Sequence, residues 1–448
     1  MTHTAKRILA CLFALVLLAP AAAFALSPLD AAELAYGDEI FTDVASTVDL
    51  NGCYSMQGMG VGEKYAYLIS VADNNVRATV SRVDLATGET VSMRYKNTKR
   101  TYFKGFGHAN GADVLTLDDQ DYLMVCGGTK VVMLEIRDDS LYPYGEFDLT
   151  YNGSPFGAGG LAVYKVTAKK FMLLFKWGNT LSNGVFDRGA TSGTIPVSAM
   201  CTLDVSQVPV AGQKVDFSDF VRQGFGYKND IVFLPLSGTA DVKTLSMSAV
   251  LCYDIRRASG TVQPISDMVY FIKTSKYASL IEAEDCGVDG AGRLYFNANR
   301  QVNSNGKDHD GVMRINGLIV GGEGTGACRH LRLQETVSPD YLASAANCHS
   351  GARYYQSCIA CGAACSGTFE SGAKDAHHHE GGTEVRDGVT VCLGCGAPLD
   401  GAAADAEAEL AGLRRLMAAA GEIASALLRG DLALPMPEAG DLWRRAEP

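Results

Sequence analysis

The sequence predicts a mainly β protein: a β-propeller of about five blades, followed by a small zinc-ribbon-like module and a C-terminal amphipathic helix. Three observations lead to this prediction. One motif, in which small or polar residues precede a valine and an aromatic-rich strand, recurs along the chain. Its copies lie about fifty residues apart, except for the last gap, which is roughly double, and such a spacing is typical of propeller blades. The 49 glycines indicate many tight turns, and cysteines cluster after the last copy.

Residues 1–25 have the pattern of a secretory signal peptide. Lys6 and Arg7 precede a short apolar run, and small residues close the segment at Ala25. An uncleaved anchor is the alternative. Because no later stretch approaches ~18 consecutive apolar residues, we expect no transmembrane segment in the mature chain. The predicted location is therefore secreted or at the extracellular cell surface.

Residues 45–335 form the predicted propeller domain. The motif recurs at Val61, Val114, Val163 and Val288, and a degenerate copy is expected near residues 228–235. Between copies, alternating strands surround polar turns, as in residues 78–95. A pair of β-sandwiches or another all-β array remains the alternative fold.

Polar residues at the start of each unit are the candidate ligand-binding site. If these segments form the innermost strands, alternate residues point toward one central channel. The candidates are His108, Asn110, Gln57, Glu282, Glu284 and Asp285. They either hold water in a structural channel or bind a cation or polar ligand. The stretch around Asp308 and Asp310 resembles part of a calcium loop, so calcium is a possible cofactor, although a solvated turn fits better.

The charge of the chain limits its partners. The formal net charge is −11, which argues against nucleic acid, because phosphates require a basic face.

Four segments resemble the helveticin J-like family of large heat-labile bacteriocins, namely Gly107–Asn110, Tyr65–Asn75, Ser81–Gly88 and Gly292–Asn297. The resemblance covers roughly residues 50–320. It implies a secreted β-propeller that acts at the surface of other bacterial cells, and it supplies no catalytic residue. The cysteine-rich extension departs from the family pattern.

Residues 345–400 form the predicted cysteine-rich module. Two C-x-x-C-G knuckles supply Cys358, Cys361, Cys392 and Cys395, which matches the spacing of a four-sulfur zinc site. Disulfides are the alternative in an exported protein, with Cys348 and Cys365 as further partners. His377, His378 and His379 form either a solvated loop or a second metal site. The module also resembles small repeat units of surface proteins from gut bacteria.

The amphipathic helix is predicted over residues 403–430. Leucine, isoleucine, methionine and alanine recur at helical spacing from Leu410 to Leu427. This apolar face favours packing of the helix on the protein's own domain, or self-association with the same helix of a second copy.

The sequence favours a binding protein over an enzyme: a bacteriocin-like propeller that recognises the bacterial cell envelope or a glycan. The alternative is a secreted carbohydrate-active enzyme, a hydrolase or lyase, that uses Glu282, Glu284 and Asp285 as acid and base. A structural surface protein is a third possibility.

Overall fold

The computed structural model describes residues 40–47, 50–210, 212–238, 247–266, 268–302, 310–322, 328, 330–376, 378–379, 382–386, 389–399, 410–415 and 417–418. The chain divides into two compact units. The first runs to Gln334 and includes Cys358–Cys361, and the second comprises Glu335–Ser357 and the residues from Gly362 onward. No helix in the described segments is long and apolar enough to cross a membrane.

The first unit consists mainly of five antiparallel sheets, which follow one another along the chain. The strands of the first sheet are β2 (Ser55–Val61), β3 (Tyr65–Val71), β4 (Ala78–Asp84) and β5 (Thr90–Ser92), after β1 (Phe41–Ser46). Those of the second are β7 (Gly111–Leu117), β8 (Gln120–Cys126), β9 (Lys130–Arg137) and β10 (Ser140–Tyr151), flanked by the short β6 (Arg94–Tyr95) and β11 (Ser154–Pro155).

The third sheet contains β12 (Leu161–Val166), β13 (Lys170–Trp177), β14 (Thr180–Asp187) and β15 (Ser192–Leu203), and it joins the second through a parallel β10–β15 pair. After the hairpin β16 (Val208–Val210) and β17 (Gln213–Val215), the fourth sheet contains β18 (Val221–Arg222), β19 (Gly226–Lys228), β20 (Ile231–Ser237), β21 (Met247–Asp254) and β23 (Val269–Lys273). The two-residue β22 (Thr261–Val262) pairs with β15. The fifth sheet contains β24 (Leu280–Val288), β25 (Arg293–Gln301), β26 (Gly311–Val320) and β27 (Arg332–Gln334).

The first strands of the five sheets form a closed ring. Strand β2 contacts β7, β7 contacts β12, β12 contacts β19, β19 contacts β24, and β24 returns to β2. Strand β1 adds to the fifth sheet by pairing antiparallel with β26. The N-terminal strand therefore completes the last sheet, and the arrangement is β-propeller-like.

A repeated glycine allows the five first strands to approach one another. Gly58, Gly111, Gly160 and Gly224 occupy equivalent places in the first four sheets, and Asp285 takes this place in the fifth. A Cβ atom on Gly111 would lie only 2.4 Å from the backbone nitrogen of Leu161. Any side chain at such a position would force the strands apart.

Apolar residues fill the spaces within and between the sheets. One large cluster includes Phe217, Phe225, Leu234 and Tyr253, each fully buried. The alternation of strand residues produces these clusters, because every second side chain of an inner strand faces a neighbouring sheet.

The second unit is described by itself. A short 3₁₀ turn (Pro339–Tyr341) leads to a sheet of β28 (Leu342–Ser344), β29 (Ala352–Cys358) and β30 (Ala364–Ser371). A hairpin of β31 (Thr383–Arg386) and β32 (Val389–Cys392) follows. Residues 410–415 and 417–418 are helical, and Leu410, Leu413 and Met417 are exposed there.

The mainly β prediction is confirmed, and the predicted first strands of four sheets, around Val61, Val114, Val163 and Val288, are β2, β7, β12 and β24. The degenerate copy was placed slightly too late. Residues 228–235 enter β20, whereas the ring residues of that sheet are Gln223 and Gly224. The signal peptide and most of the helix over 403–430 lie outside the described residues.

We expect Gly111→Ala to lower the free energy of unfolding by about 1–3 kcal/mol, because its methyl group would overlap the backbone of Leu161 and Gly160. Gly159→Ala is the matched control, since its nearest neighbour would be the Lys176 carbonyl oxygen at an ordinary 3.7 Å. Urea denaturation measures both. Equal stability of the two variants would contradict the close packing of the ring.

Candidate active site at the centre of the ring

Asp285 lies at the centre of the ring and is fully buried. Its Oδ2 atom accepts hydrogen bonds from the backbone N–H of Met59 at 3.0 Å and of Ala112 at 3.3 Å, and its Oδ1 atom accepts one from Cys286. One carboxyl group thus connects β24 to β2 and β7. Gly224 makes room for it, because a Cβ there would lie 2.4 Å from Oδ1.

Two glutamates precede Asp285 on β24. Glu284 is 3% exposed, whereas Glu282 is half-buried. The side-chain amide of Asn299, on the neighbouring β25, donates to Glu284 Oε1 at 2.6 Å and lies 3.5 Å from Glu282 Oε2. Gln223 donates to the other oxygen of Glu282 at 3.1 Å. A β-bulge between Ala283 and Asp285 permits this grouping.

The two glutamates have different electrostatic environments. Burial raises the pKa of Glu284 well above its ordinary value, and the charges of Glu282, Asp310 and Asp285 raise it further. The pKa of Glu282 is also raised by burial, but hydrogen bonds from Asn299 and Gln223 oppose the shift. Glu284 is therefore the more readily protonated of the pair.

Lys176 is a buried cation of this region, 2% exposed, on the second strand of the third sheet. Burial lowers its pKa to about 8, while attraction to Asp285 and Cys126 opposes the shift. Its Nζ atom lies 3.4 Å from the carbonyl oxygen of Gly178. The ring thus contains both carboxyl groups and an amine of depressed basicity.

Gln57 contributes a polar atom that the described residues leave unsatisfied. The side chain is 5% exposed, and its Nε2 atom donates to Ser55 at 3.0 Å. Its Oε1 atom is buried and accepts no hydrogen bond within the described part of the chain. Buried acceptors are usually paired, so this atom is an exception among the described polar groups of the ring.

The other predicted residues lie at different places. Asn110 is half-buried, and its backbone oxygen faces Gly224 in the ring. His108 is exposed, and its Nδ1 atom lies 3.1 Å from Asn75 on the loop between β3 and β4. This contact directs the imidazole of His108 toward that loop. For the calcium prediction, Asp308 lies outside the described residues, and Asp310 accepts from the backbone N–H of Arg300.

Two clusters of cysteine and histidine have the composition of metal sites. Within each, the four ligand atoms lie within 4.8 Å of one another. The first cluster comprises Cys328, His330, Cys358 and Cys361, and the second comprises Cys348, His379, Cys392 and Cys395.

The two knuckles therefore do not complete one four-sulfur site, because each is completed by residues that precede it in the chain. No disulfide joins the twelve cysteines in the described residues. Backbone N–H groups of Cys395 and Gly394 lower the pKa of the Cys392 thiol to about 6. His378 instead lies with its Nδ1 atom 2.8 Å from the Ala346 carbonyl oxygen, and His377 is outside the described residues.

A cavity of about 290 Å³ lies elsewhere in the first unit, lined by residues that include Asn179, Asp204 and Arg222. Asp204 is its single acidic lining residue, and Ser206 and Gln263 donate to this carboxylate. Without a second carboxyl group, the cavity is a weaker candidate for acid–base chemistry than the ring.

Sequence reasoning missed Lys176, Gln223 and Asn299 at the ring and Cys328 and His330 in the first metal cluster. Gln223-Gly224 repeats the Gln57-Gly58 pair, so that signal was present in the sequence. Asn299 and Lys176 lie on second strands, which the search for repeated first strands did not cover.

No protein-family model matches the sequence, and no curated protein matches it. Solved structures do show similarity. A GH43 β-xylosidase/α-arabinofuranosidase from a compost microbial metagenome is 13% identical, with a TM-score of 0.34, over 68% of this chain and 98% of that chain. An α-L-arabinofuranosidase from Lactobacillus brevis is 10% identical, with a TM-score of 0.31, over 66% and 96%.

A putative 6-phosphogluconolactonase from Bacteroides uniformis is 11% identical, with a TM-score of 0.29, over 72% and 87%. These TM-scores are too low to identify a substrate for this chain. The main prediction, a bacteriocin-like function, is not borne out: these similar structures are described as enzymes, and GH43 glycoside hydrolases are among them.

We expect Asp285→Asn to lower the free energy of unfolding by about 1–3 kcal/mol, because an amide offers one acceptor oxygen to three buried N–H donors. Glu282→Gln, on the same strand but half-exposed, is the control and should change stability by less than about 0.5 kcal/mol. Chemical denaturation distinguishes the two. An Asp285→Asn variant as stable as the parent would show that this carboxylate does not hold the ring together.

Proposed function

We propose that the first unit is a five-bladed β-propeller that cleaves a glycan at the centre of its ring, with Glu284 as general acid and Glu282 as general base or nucleophile. The observation that carries this proposal is the pair of glutamates bridged by Asn299. This function is the carbohydrate-active alternative that the sequence left open.

The spacing of the pair supports the proposal. Because Glu284 Oε1 and Glu282 Oε2 lie 2.6 Å and 3.5 Å from one Asn299 nitrogen, these oxygens are at most about 6 Å apart. Glycosidases hold two carboxyl groups at roughly 5–9.5 Å on either side of the scissile bond. The upper limit of about 6 Å between the two glutamate oxygens overlaps the shorter part of this range.

The different environments of Glu284 and Glu282 support their roles as general acid and as base or nucleophile. A general acid must carry its proton at working pH, and burial among other carboxylates favours protonated Glu284. The base must be ionised and reachable, and half-buried Glu282 has amide donors that stabilise its charge. The proton of Glu284 would go to the leaving oxygen, while Glu282 attacks the anomeric carbon or activates water.

The polar atoms around the pair fit a sugar. Gln57 Oε1 has the chemistry to accept a hydrogen bond from a sugar hydroxyl group, and the half-buried Asn110 lies on the adjoining first segment. Sugars require several convergent donors and acceptors of this kind. The signal-peptide pattern of residues 1–25 supports export of the chain, and we propose an extracellular glycan as the substrate.

Turnover of a glycan panel that includes arabinosides and xylosides tests the proposal. We expect Glu284→Gln and Glu282→Gln each to reduce turnover at least ~100-fold, since each removes a proton-transfer group. Glu89→Gln is the control, because Glu89 is an exposed carboxylate on the turn between β4 and β5. A Glu284→Gln variant with parental turnover, or no turnover and no binding across the panel, would contradict the proposal.

The pH profile provides an independent check. Because the pKa of Glu284 is raised, its acid form persists to higher pH than that of an ordinary glutamate, and activity should fall as pH rises through that raised pKa. Activity should fall on the acidic side as Glu282 gains a proton. If the alkaline limb of kcat were unchanged when Gln replaced Glu284, another group would be the acid.

A further inference from the structure

We propose that the chain binds two structural zinc ions, one in each Cys₃His cluster, instead of a single ion shared by the two knuckles. The first site comprises Cys328, His330, Cys358 and Cys361, and the second comprises Cys348, His379, Cys392 and Cys395. The proposal is independent of the enzymatic function of the ring.

The distances between ligand atoms match zinc coordination and are longer than a disulfide bond. The sulfurs of Cys328 and Cys358 are 3.6 Å apart, and those of Cys348 and Cys392 are 3.5 Å apart. A disulfide requires about 2.05 Å. With Zn–S bonds of about 2.3 Å, two sulfurs at tetrahedral corners lie about 3.8 Å apart. The 3.5 Å between Cys395 Sγ and His379 Nδ1 likewise fits the expected ~3.6 Å.

The two knuckles share one backbone geometry. The first cysteine of each, Cys358 or Cys392, accepts hydrogen bonds from the N–H groups two and three residues later. The glycine after each knuckle, Gly362 or Gly396, has φ of +71°, a left-handed conformation that glycine adopts without strain. Each turn therefore directs two sulfurs to one point and stabilises negative charge on the first.

Local hydrogen bonds position the remaining ligands of the second site. The Cys348 N–H donates to the His378 carbonyl oxygen at 2.9 Å, and the Asp375 N–H donates to the Asn347 carbonyl oxygen at 2.9 Å. These bonds hold the loop that carries His379 against Cys348. A histidine of the triplet predicted as a solvated loop thereby becomes a ligand.

The first site is formed in the same way. The Gly322 N–H donates to the His330 carbonyl oxygen, which fixes the segment before β27 beside the end of β26. The Ile359 N–H donates to the Arg332 carbonyl oxygen at 3.0 Å and brings the knuckle to that segment. Each site then has three sulfurs and one nitrogen, a closed tetrahedral set typical of structural zinc.

Metal analysis of the purified full-length chain tests the proposal without any variant. We expect two zinc ions per chain. We also expect a thiol reagent to leave Cys328, Cys361 and Cys395 unmodified in the zinc-loaded chain, although none of these three thiols is buried, and to modify them once a strong chelator has removed the zinc. One zinc with only the four knuckle thiols protected, iron in place of zinc, or thiols lost to disulfides would each overturn the proposal.

The zinc content of variants then tests whether each site binds one ion. After dialysis against a chelator that leaves the parent loaded, His330→Ala and His379→Ala should each retain one zinc, and the double variant none. His330→Cys and His379→Cys should retain two, because sulfur replaces nitrogen as the ligand. Cys365→Ser is the matched control, since Cys365 lies in the same module but in neither cluster, and it should retain two. A normal zinc content in both alanine variants would contradict the assignment.

Discussion

The first unit depends on one buried carboxyl group that accepts backbone hydrogen bonds from two neighbouring sheets. Asp285 receives the N–H groups of Met59 and Ala112 in addition to its own neighbour. Such an arrangement requires the first strands to approach within backbone contact distance. Glycines at Gly58, Gly111, Gly160 and Gly224 meet that requirement, so the repeated glycine and the single aspartate are two aspects of the same constraint.

The same close packing of strands also shifts the pKa values of ionisable groups at the ring. Once backbones meet at the centre, polar side chains of β24 and β25 are removed from water, and burial shifts their pKa values. Glu284 and Glu282 differ in exposure, so their protonation differs as well. The site therefore follows from how tightly the sheets are packed. The proposed zinc sites would serve a different purpose: they would hold short irregular segments that contain few buried apolar residues.

The first strands of the ring could be predicted from the sequence, whereas the long-range contacts between them could not. A repeated valine motif locates β2, β7, β12 and β24, because strand alternation and turn chemistry are local properties. Two of the three N–H donors to Asp285 come from residues more than 170 positions away, and no local pattern predicts these two contacts. The metal ligands show the same division: the knuckles are visible as C-x-x-C, while Cys328 and His330 have no motif of their own.

The most direct test of this account is a crystal structure of the Glu284→Gln variant soaked with an oligosaccharide that the parent chain cleaves. We expect a sugar at the ring, with the glycosidic oxygen beside residue 284, the anomeric carbon facing Glu282, and a hydroxyl group on Gln57 Oε1. A sugar bound at another surface, with the ring occupied by water alone, would contradict the central claim that the buried glutamates act on a glycan.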